Sequence, residues 1–299
     1  MRVSRMFTIP LALVVASMLL LSACGSSNAG SSKNLVVGSK KDADSQLESA
    51  MYELLLKHHG YTVTLKGQLD NTTATPAITS GQIDILPEFT GTGLANLGLQ
   101  TTSNPQMAYQ EVKQGYESKY HITWLDPAYG LNDDYGLCAS QAVSQKYNLH
   151  NISDVTAVAS QLTLYAPQDA ISSPAVVPAM ESTYNLHFKK TVQIDVELGF
   201  NAAAQDQASV NICYTTDSNI VTQNFVLLKD DKNAFPVYNP APIVRDSVLQ
   251  AHPDIAGILN VLAPKLTTDA INPLIKSVQV DKQPADVVAQ QWLQQQGLL

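Results

Sequence analysis

Apolar positions in this chain repeat with two periods, and the switching between them sets the order of elements. Residues 34–40, NLVVGSK, form a short apolar run stopped by glycine and serine, the pattern of a strand. From Asp44 to His59 the apolar residues Leu47, Ala50, Met51, Leu54 and Leu55 fall at the three-and-four spacing of an amphipathic helix, ended by Gly60. Residues 61–65 alternate as a second strand, 74–80 have a helical pattern, and 82–86 form a third strand that runs into ILPEFTGTGL, residues 85–94. There proline is expected to end the strand, threonine to cap the next helix and glycine to let the backbone bend. Strand, helix, strand, helix, strand predicts an α/β fold with a mostly parallel sheet. In such sheets ligands sit beyond the carboxyl ends of the strands. GSK (38–40) and PEFTGT (87–92) are therefore expected on one edge of one sheet.

A second set of elements begins near Leu131, with a strand at 135–139, helical stretches at 152–161 and 177–184, and strands near 192–196 and 210–214. After the breaker-rich run FPVYNPAP (235–242), the remainder from Ser247 reads as helices separated by Pro253, Pro264 and Pro273. Ahead of both sets, Arg2 and Arg5 precede an apolar run over 7–20 that is too short to span a bilayer and ends in LSAC, residues 21–24. This resembles a bacterial lipoprotein signal, which implies cleavage of residues 1–23 and lipid on the thiol of Cys24. Residues 24–33 then read as a flexible tether, with no apolar residue larger than alanine after the cysteine. The mature protein is expected to be lipid-anchored on the extracytoplasmic face of the cell membrane, not threaded through it.

About 265 residues follow the tether, enough for one large domain or two medium ones. A net charge of -8 and the lack of any basic stripe argue against a nucleic-acid partner. With Cys24 assigned to the anchor, Cys138 and Cys213 remain; outside the cytoplasm a disulfide between them and two buried free thiols are both open. The histidines at 58, 59, 121, 150, 187 and 252 include no HExxH, and there is no GxSxG, Walker loop or GxGxxG. No catalytic residue, metal site or cofactor is expected. Asp133-Asp134 and Asp230-Asp231 read as solvated loop carboxylates.

Four aromatic residues stand at strand ends beside turn residues: Phe89 in PEFTGT, Tyr135 in NDDYGL, Tyr214 in YTTDSNI and Tyr238 in FPVYNPAP. Together with GSK (38–40), SGQIDILPEFTGTGL (80–94) and LLKDDKNAFPVYNPAPIVR (227–245), these motifs resemble the periplasmic-type binding proteins of ABC importers for glycine betaine, choline, carnitine and proline betaine. The resemblance covers about residues 34–299. It implies a type II periplasmic-binding-protein clamshell whose discontinuous lobes, 34–131 with 239–299 and 132–238, are joined by two crossover strands near 130 and 238. It also implies that Phe89, Tyr135, Tyr214 and Tyr238 cage a quaternary ammonium, with Phe89 standing where a tyrosine is usual. A trimethylammonium has no N–H to donate, so ring faces must hold it, at about 0.5 to 2 kcal/mol per desolvated contact. By the same resemblance Thr92 donates to a ligand carboxylate or hydroxyl, Lys40 is a charge partner, and Asp133 contacts the cationic end.

Two departures from the family pattern bear on the ligand. The arginine that clamps a carboxylate is replaced near Ser173, in AISSPAV, and the aromatic-Glu-Gln run after GSK is KDADS, with Gln46 following. Loss of a bidentate arginine removes a contact of about 1.5 to 3 kcal/mol, which keeps choline, or another ligand without a carboxylate, beside glycine betaine. The expected partners are the small quaternary-ammonium ligand, a membrane permease subunit of an ABC importer, and the membrane through the anchor, with the protein a monomer. Two other readings compete: a clamshell for a polar amino acid or similar metabolite in which the rings only pack, and a lipid-anchored enzyme or sensory lipoprotein.

Overall fold

The computed structural model describes residues 33–299. The expected signal peptide, Cys24 and all of the tether but its last residue lie outside the described residues. Among the described residues ten strands form two sheets. β1 (Asn34–Lys40), β2 (Thr62–Leu69), β3 (Ile85–Phe89), β4 (Ile122–Trp124) and β10 (Pro240–Arg245) make the first, in the order β2-β1-β3-β10-β4. β5 (Tyr135–Ser140), β6 (Thr163–Ala166), β7 (Lys190–Gln193), β8 (Ser209–Tyr214) and β9 (Phe225–Leu228) make the second, in the order β7-β6-β8-β5-β9. In each sheet three neighbouring strands are parallel, and the strand entered from the other sheet, β10 or β5, is antiparallel to its neighbours. The sequence reading of a mostly parallel sheet therefore holds only for these triplets. A chain that returns from the far sheet arrives at the cleft end and has to run the opposite way.

The helix Ala43–His58 illustrates how pattern becomes packing. Asp42 caps it by accepting the Ser45 N–H at 2.8 Å, and Leu47, Met51, Leu55 and Leu56 are buried against Trp292 and Leu293 of the helix Ala285–Gln295. Each such side chain contributes about 1.5 to 3 kcal/mol of burial. A second apolar layer, including Leu94, Val112, Tyr116 and Trp124, belongs to the same sheet, and two further clusters flank the second sheet. The fold is thus two α/β lobes, each a mixed sheet between helices.

Several local expectations are corrected. Pro87 does not end β3, because its rung faces Pro242 of β10 and neither residue has a donor to give. The strand near 192–196 stops at Gln193, and Val196 opens a helix, Val196–Gln205. The stretch 152–161 breaks into a short helix, Ile152–Val155, and a 3-10 turn, Ala159–Gln161.

The lobes connect through residues 125–134 and 229–239, which run side by side. Asp133 N–H donates to the Tyr238 carbonyl at 3.1 Å and Tyr238 N–H to Asn132 Oδ1 at 2.6 Å. Asn239 Nδ2 donates to the Leu131 carbonyl at 2.7 Å. Among the described residues no helix is long and apolar enough to cross a membrane.

Candidate functional site

The cleft is built from two antiparallel strand pairs whose ends meet. In the first sheet β3 ends at Phe89, and its partner in register is Pro240, the start of β10. Tyr238 precedes that strand by two residues and is therefore delivered beside Phe89. Parallel pairing of β1 with β3 puts Lys40 on the same edge, as the sequence predicts. Lys40 and Glu88 are both buried and form an ion pair at 2.5 Å. Glu88 also accepts the Phe89 N–H at 2.9 Å, and the Lys40 ammonium stands 5.6 Å from the Phe89 ring centroid. The carboxylate in PEFTGT thus holds a lysine under the ring rather than facing the ligand.

The threonines and glycines of that motif have separate tasks. Phe89, not a threonine, is the N-cap of the helix Thr90–Leu97, and it makes no side-chain cap. Thr90 instead ties the helix to the returning segment, accepting the Asn239 N–H at 3.0 Å while its own N–H donates to the Asn239 carbonyl at 3.0 Å. A Cβ at Gly91 would run into the ring of Tyr238, so only glycine lets that ring sit against the helix. Thr92 is half-buried on the cleft wall, and its hydroxyl has no hydrogen-bond partner among the described residues.

The second sheet repeats the device. The β5–β8 register sets Tyr135 opposite Tyr214, and the rings stack with centroids 4.8 Å apart and planes 22° apart. Their hydroxyls are 3.2 Å apart, and Tyr135 donates to Asp169 Oδ2 at 2.6 Å. Cys138 and Cys213 form a disulfide between the same two strands, bracing the pair that carries the tyrosines.

These halves enclose a cavity of about 550 Å³. Its lining contains all seven residues marked from the sequence, Lys40, Phe89, Thr92, Asp133, Tyr135, Tyr214 and Tyr238, and adds Asp42 and Asp134. Asp133 accepts the Thr216 hydroxyl at 2.5 Å. Burial raises its carboxyl above the ordinary carboxylate range, with the Thr216 bond opposing. Burial also pushes the Asp134 carboxyl up to about 7, opposed by the Tyr135 N–H and reinforced by the Asp133 charge. Asp133-Asp134 is therefore not a solvated loop pair. Nor is Asp230, which accepts the Tyr184 hydroxyl at 2.5 Å and the Ala234 and Phe235 N–H groups at 2.9 Å, knotting the return loop.

Lys40 is the only basic residue on the lining, and it is already matched by Glu88. The only arginine in residues 33–299, Arg245, pairs with Asp84 at the other end of β3 and β10. Ser173 closes the helix Gln168–Ser172, whose contribution to the cleft is Asp169. Sequence reading missed Asp42, Asp134, Asp169 and Gly91. The doubled acid in NDDYGL and the glycine between the two threonines were the available signals.

The chain was compared with known proteins. Residues 33–295 match the family described as the substrate binding domain of ABC-type glycine betaine transport systems. The carnitine transport binding protein OpuCC of Listeria monocytogenes is 32% identical over 289 residues, with 94% of each chain covered. The glycine betaine-binding protein YehZ of Escherichia coli is 30% identical over 275 residues, 87% of this chain and 90% of its own. The solved structure of ligand-free YehZ superposes with a TM-score of 0.82 at 28% identity, covering 89% of this chain and 99% of that one. A match over nearly all of residues 33–299, on a two-lobed α/β fold with its cleft at the strand ends, places this chain in the family of substrate-binding domains of ABC-type glycine betaine transport systems.

Proposed function

We propose that this protein captures a small quaternary-ammonium solute at the outer face of the membrane and delivers it to the permease of an ABC importer. The observation that carries the reading is the convergence of Phe89, Tyr135, Tyr214 and Tyr238, two from each sheet end and its crossing, on one cavity that also holds Asp42, Asp133 and Asp134. Ring faces and carboxylates suit a methylated cation, which offers charge and methyl surface but no N–H. Nothing in this cavity offers an unmatched positive charge to a carboxylate. The preferred ligand is therefore one without a carboxylate, of the choline class, ahead of glycine betaine and carnitine.

In this reading residues 34–131 with 239–299 form one lobe and 132–238 the other. The ligand bridges them and favours the closed form, because only closure completes the cage. The protein binds without turnover, as a monomer held by lipid on Cys24. Calorimetric titration with choline, glycine betaine, carnitine and glutamine tests the proposal. Choline is expected to bind tightest, and heat from glutamine alone would replace this reading with an amino-acid clamshell.

A further inference from the structure

Beside the cage lies a second space of about 320 Å³, which shares Asp133 and Tyr214 with it and extends away between the lobes. Asp44 and Gln279 enter it from the side of the first sheet, and Glu197 and Asp217 from the side of the second. No lysine, arginine or histidine lines it. Asp44 is 7% exposed, and its Oδ1 has no hydrogen-bond partner among the described residues. Burial first, then the charges of Asp133, Asp42 and Glu48, hold its carboxyl well above the ordinary range. A buried carboxyl oxygen without a partner is costly, and it persists where a ligand supplies the donor.

The charge count separates this recess from the cage. A single quaternary cation in the cage already faces Asp42, Asp133 and Asp134. Glu197 and Asp217 line the recess outside the cage and are left without a counter-charge by that cation, and Asp44 Oδ1 is left without a partner among the described residues. A hydroxyl in the recess could satisfy one acceptor and would leave the charge uncompensated. A primary ammonium brings three N–H donors and a full positive charge.

We propose that the recess binds a protonated amine carried on the same ligand, so that the protein takes up dications with a quaternary ammonium at one end and a primary ammonium at the other. This rests on the cage reading above, and the test separates the two. Aminopropyl-trimethylammonium and hydroxypropyl-trimethylammonium have the same length and the same caged head, and differ only in the group that reaches the recess. Calorimetry on the full chain is expected to give affinity about tenfold or more higher for the amine.

In a variant carrying Glu197→Gln and Asp217→Asn, that preference is expected to shrink to within about threefold while the hydroxyl compound binds as before. Glu197 is exposed, and asparagine can keep the cap that Asp217 gives to the Asn219 N–H, so the variant should fold. Thermal unfolding of wild type and variant checks that. Equal affinity of the wild type for both compounds overturns the recess and leaves the cage standing. A preference for the amine that survives in the folded variant also overturns it. Binding of the hydroxyl compound without the amine overturns the recess alone, whereas failure of both compounds to bind overturns the cage reading, and this inference with it.

Discussion

Replacing Tyr214 by alanine removes one wall of the cage with little harm to the fold. Tyr214 is 42% exposed, and the hydrogen bond its side chain makes is the 3.2 Å contact with the Tyr135 hydroxyl, which keeps Asp169 as a partner. A tyrosine side chain presents roughly 200 Å². If the ligand covers about half of the exposed fraction, some 40 Å² of ring leaves water, about 1 kcal/mol. Cation–π attraction at a desolvated site adds about 1 kcal/mol. Together these give about 2 kcal/mol, or roughly thirtyfold in Kd. The lost Tyr135–Tyr214 stack costs folding about 0.5 to 1.5 kcal/mol, so Tm should fall by only a few degrees. Titration with choline reads the affinity, and a thermal melt without ligand reads the fold. A folded Tyr214→Ala protein that binds choline within about threefold of wild type would refute the reasoning, since no caged cation tolerates loss of a stacked face so cheaply.

Three further outcomes are expected. Gly91→Ala pushes the Tyr238 ring off the helix Thr90–Leu97 and should weaken choline at least about tenfold by titration, although position 91 does not itself line the cleft. Reduction of Cys138–Cys213, which are 75 residues apart in sequence, restores about 4 kcal/mol of chain entropy to the unfolded state and should lower Tm in a melt run with dithiothreitol. For pH, Asp134 is raised to about 7, and Asp44, Glu48 and Asp133 are raised as well, so between about 4 and about 7 the folded protein holds protons that the unfolded chain has released. Stability of the ligand-free protein should therefore decline as pH rises through that window, while choline affinity climbs as Asp134 ionises. Melts and titrations at pH 5 and 7.5 check both signs, and an affinity that falls with rising pH contradicts the assignment.

The aromatic positions stood out because each lies at or near a strand end beside turn residues, and the resemblance to a known family is what set the four together. The helix Ala43–His58 was legible because its apolar residues recur at three-and-four spacing, with Asp42 at the N-cap and Gly60 just past the C-cap His59. What escaped was set by neighbours distant in sequence. Lys40 reads as a free cation until Glu88, 48 positions away, is seen against it. Pro87 reads as a stop until Pro242 is found across the rung. β6 carries four residues with no alternation, and β4 three, so neither has enough length for a period to appear. Asp134 reads as a loop acid because doubled acids in turns are usually solvated; its bonds to Thr215, 81 positions away, are not visible in the sequence.

The acids of the cleft also bear on how the two lobes respond to a guest. Asp42 and Asp44 come from the first lobe, Asp169, Glu197 and Asp217 from the second, and Asp133 and Asp134 from the crossing between them. Two such charges about 8 Å apart repel by about 2 kcal/mol at an effective dielectric constant near 20. Closure without a ligand therefore brings like charges together, while closure on a cation inserts the opposite sign between them. In the proposed binding cycle the side chains assigned to the ligand also make the empty closed state unfavourable. Rings alone already favour a cation over a neutral guest of the same shape, by about 0.5 to 2 kcal/mol per desolvated contact. In the same proposed cycle the carboxylates strengthen that preference and make charge a condition for closure.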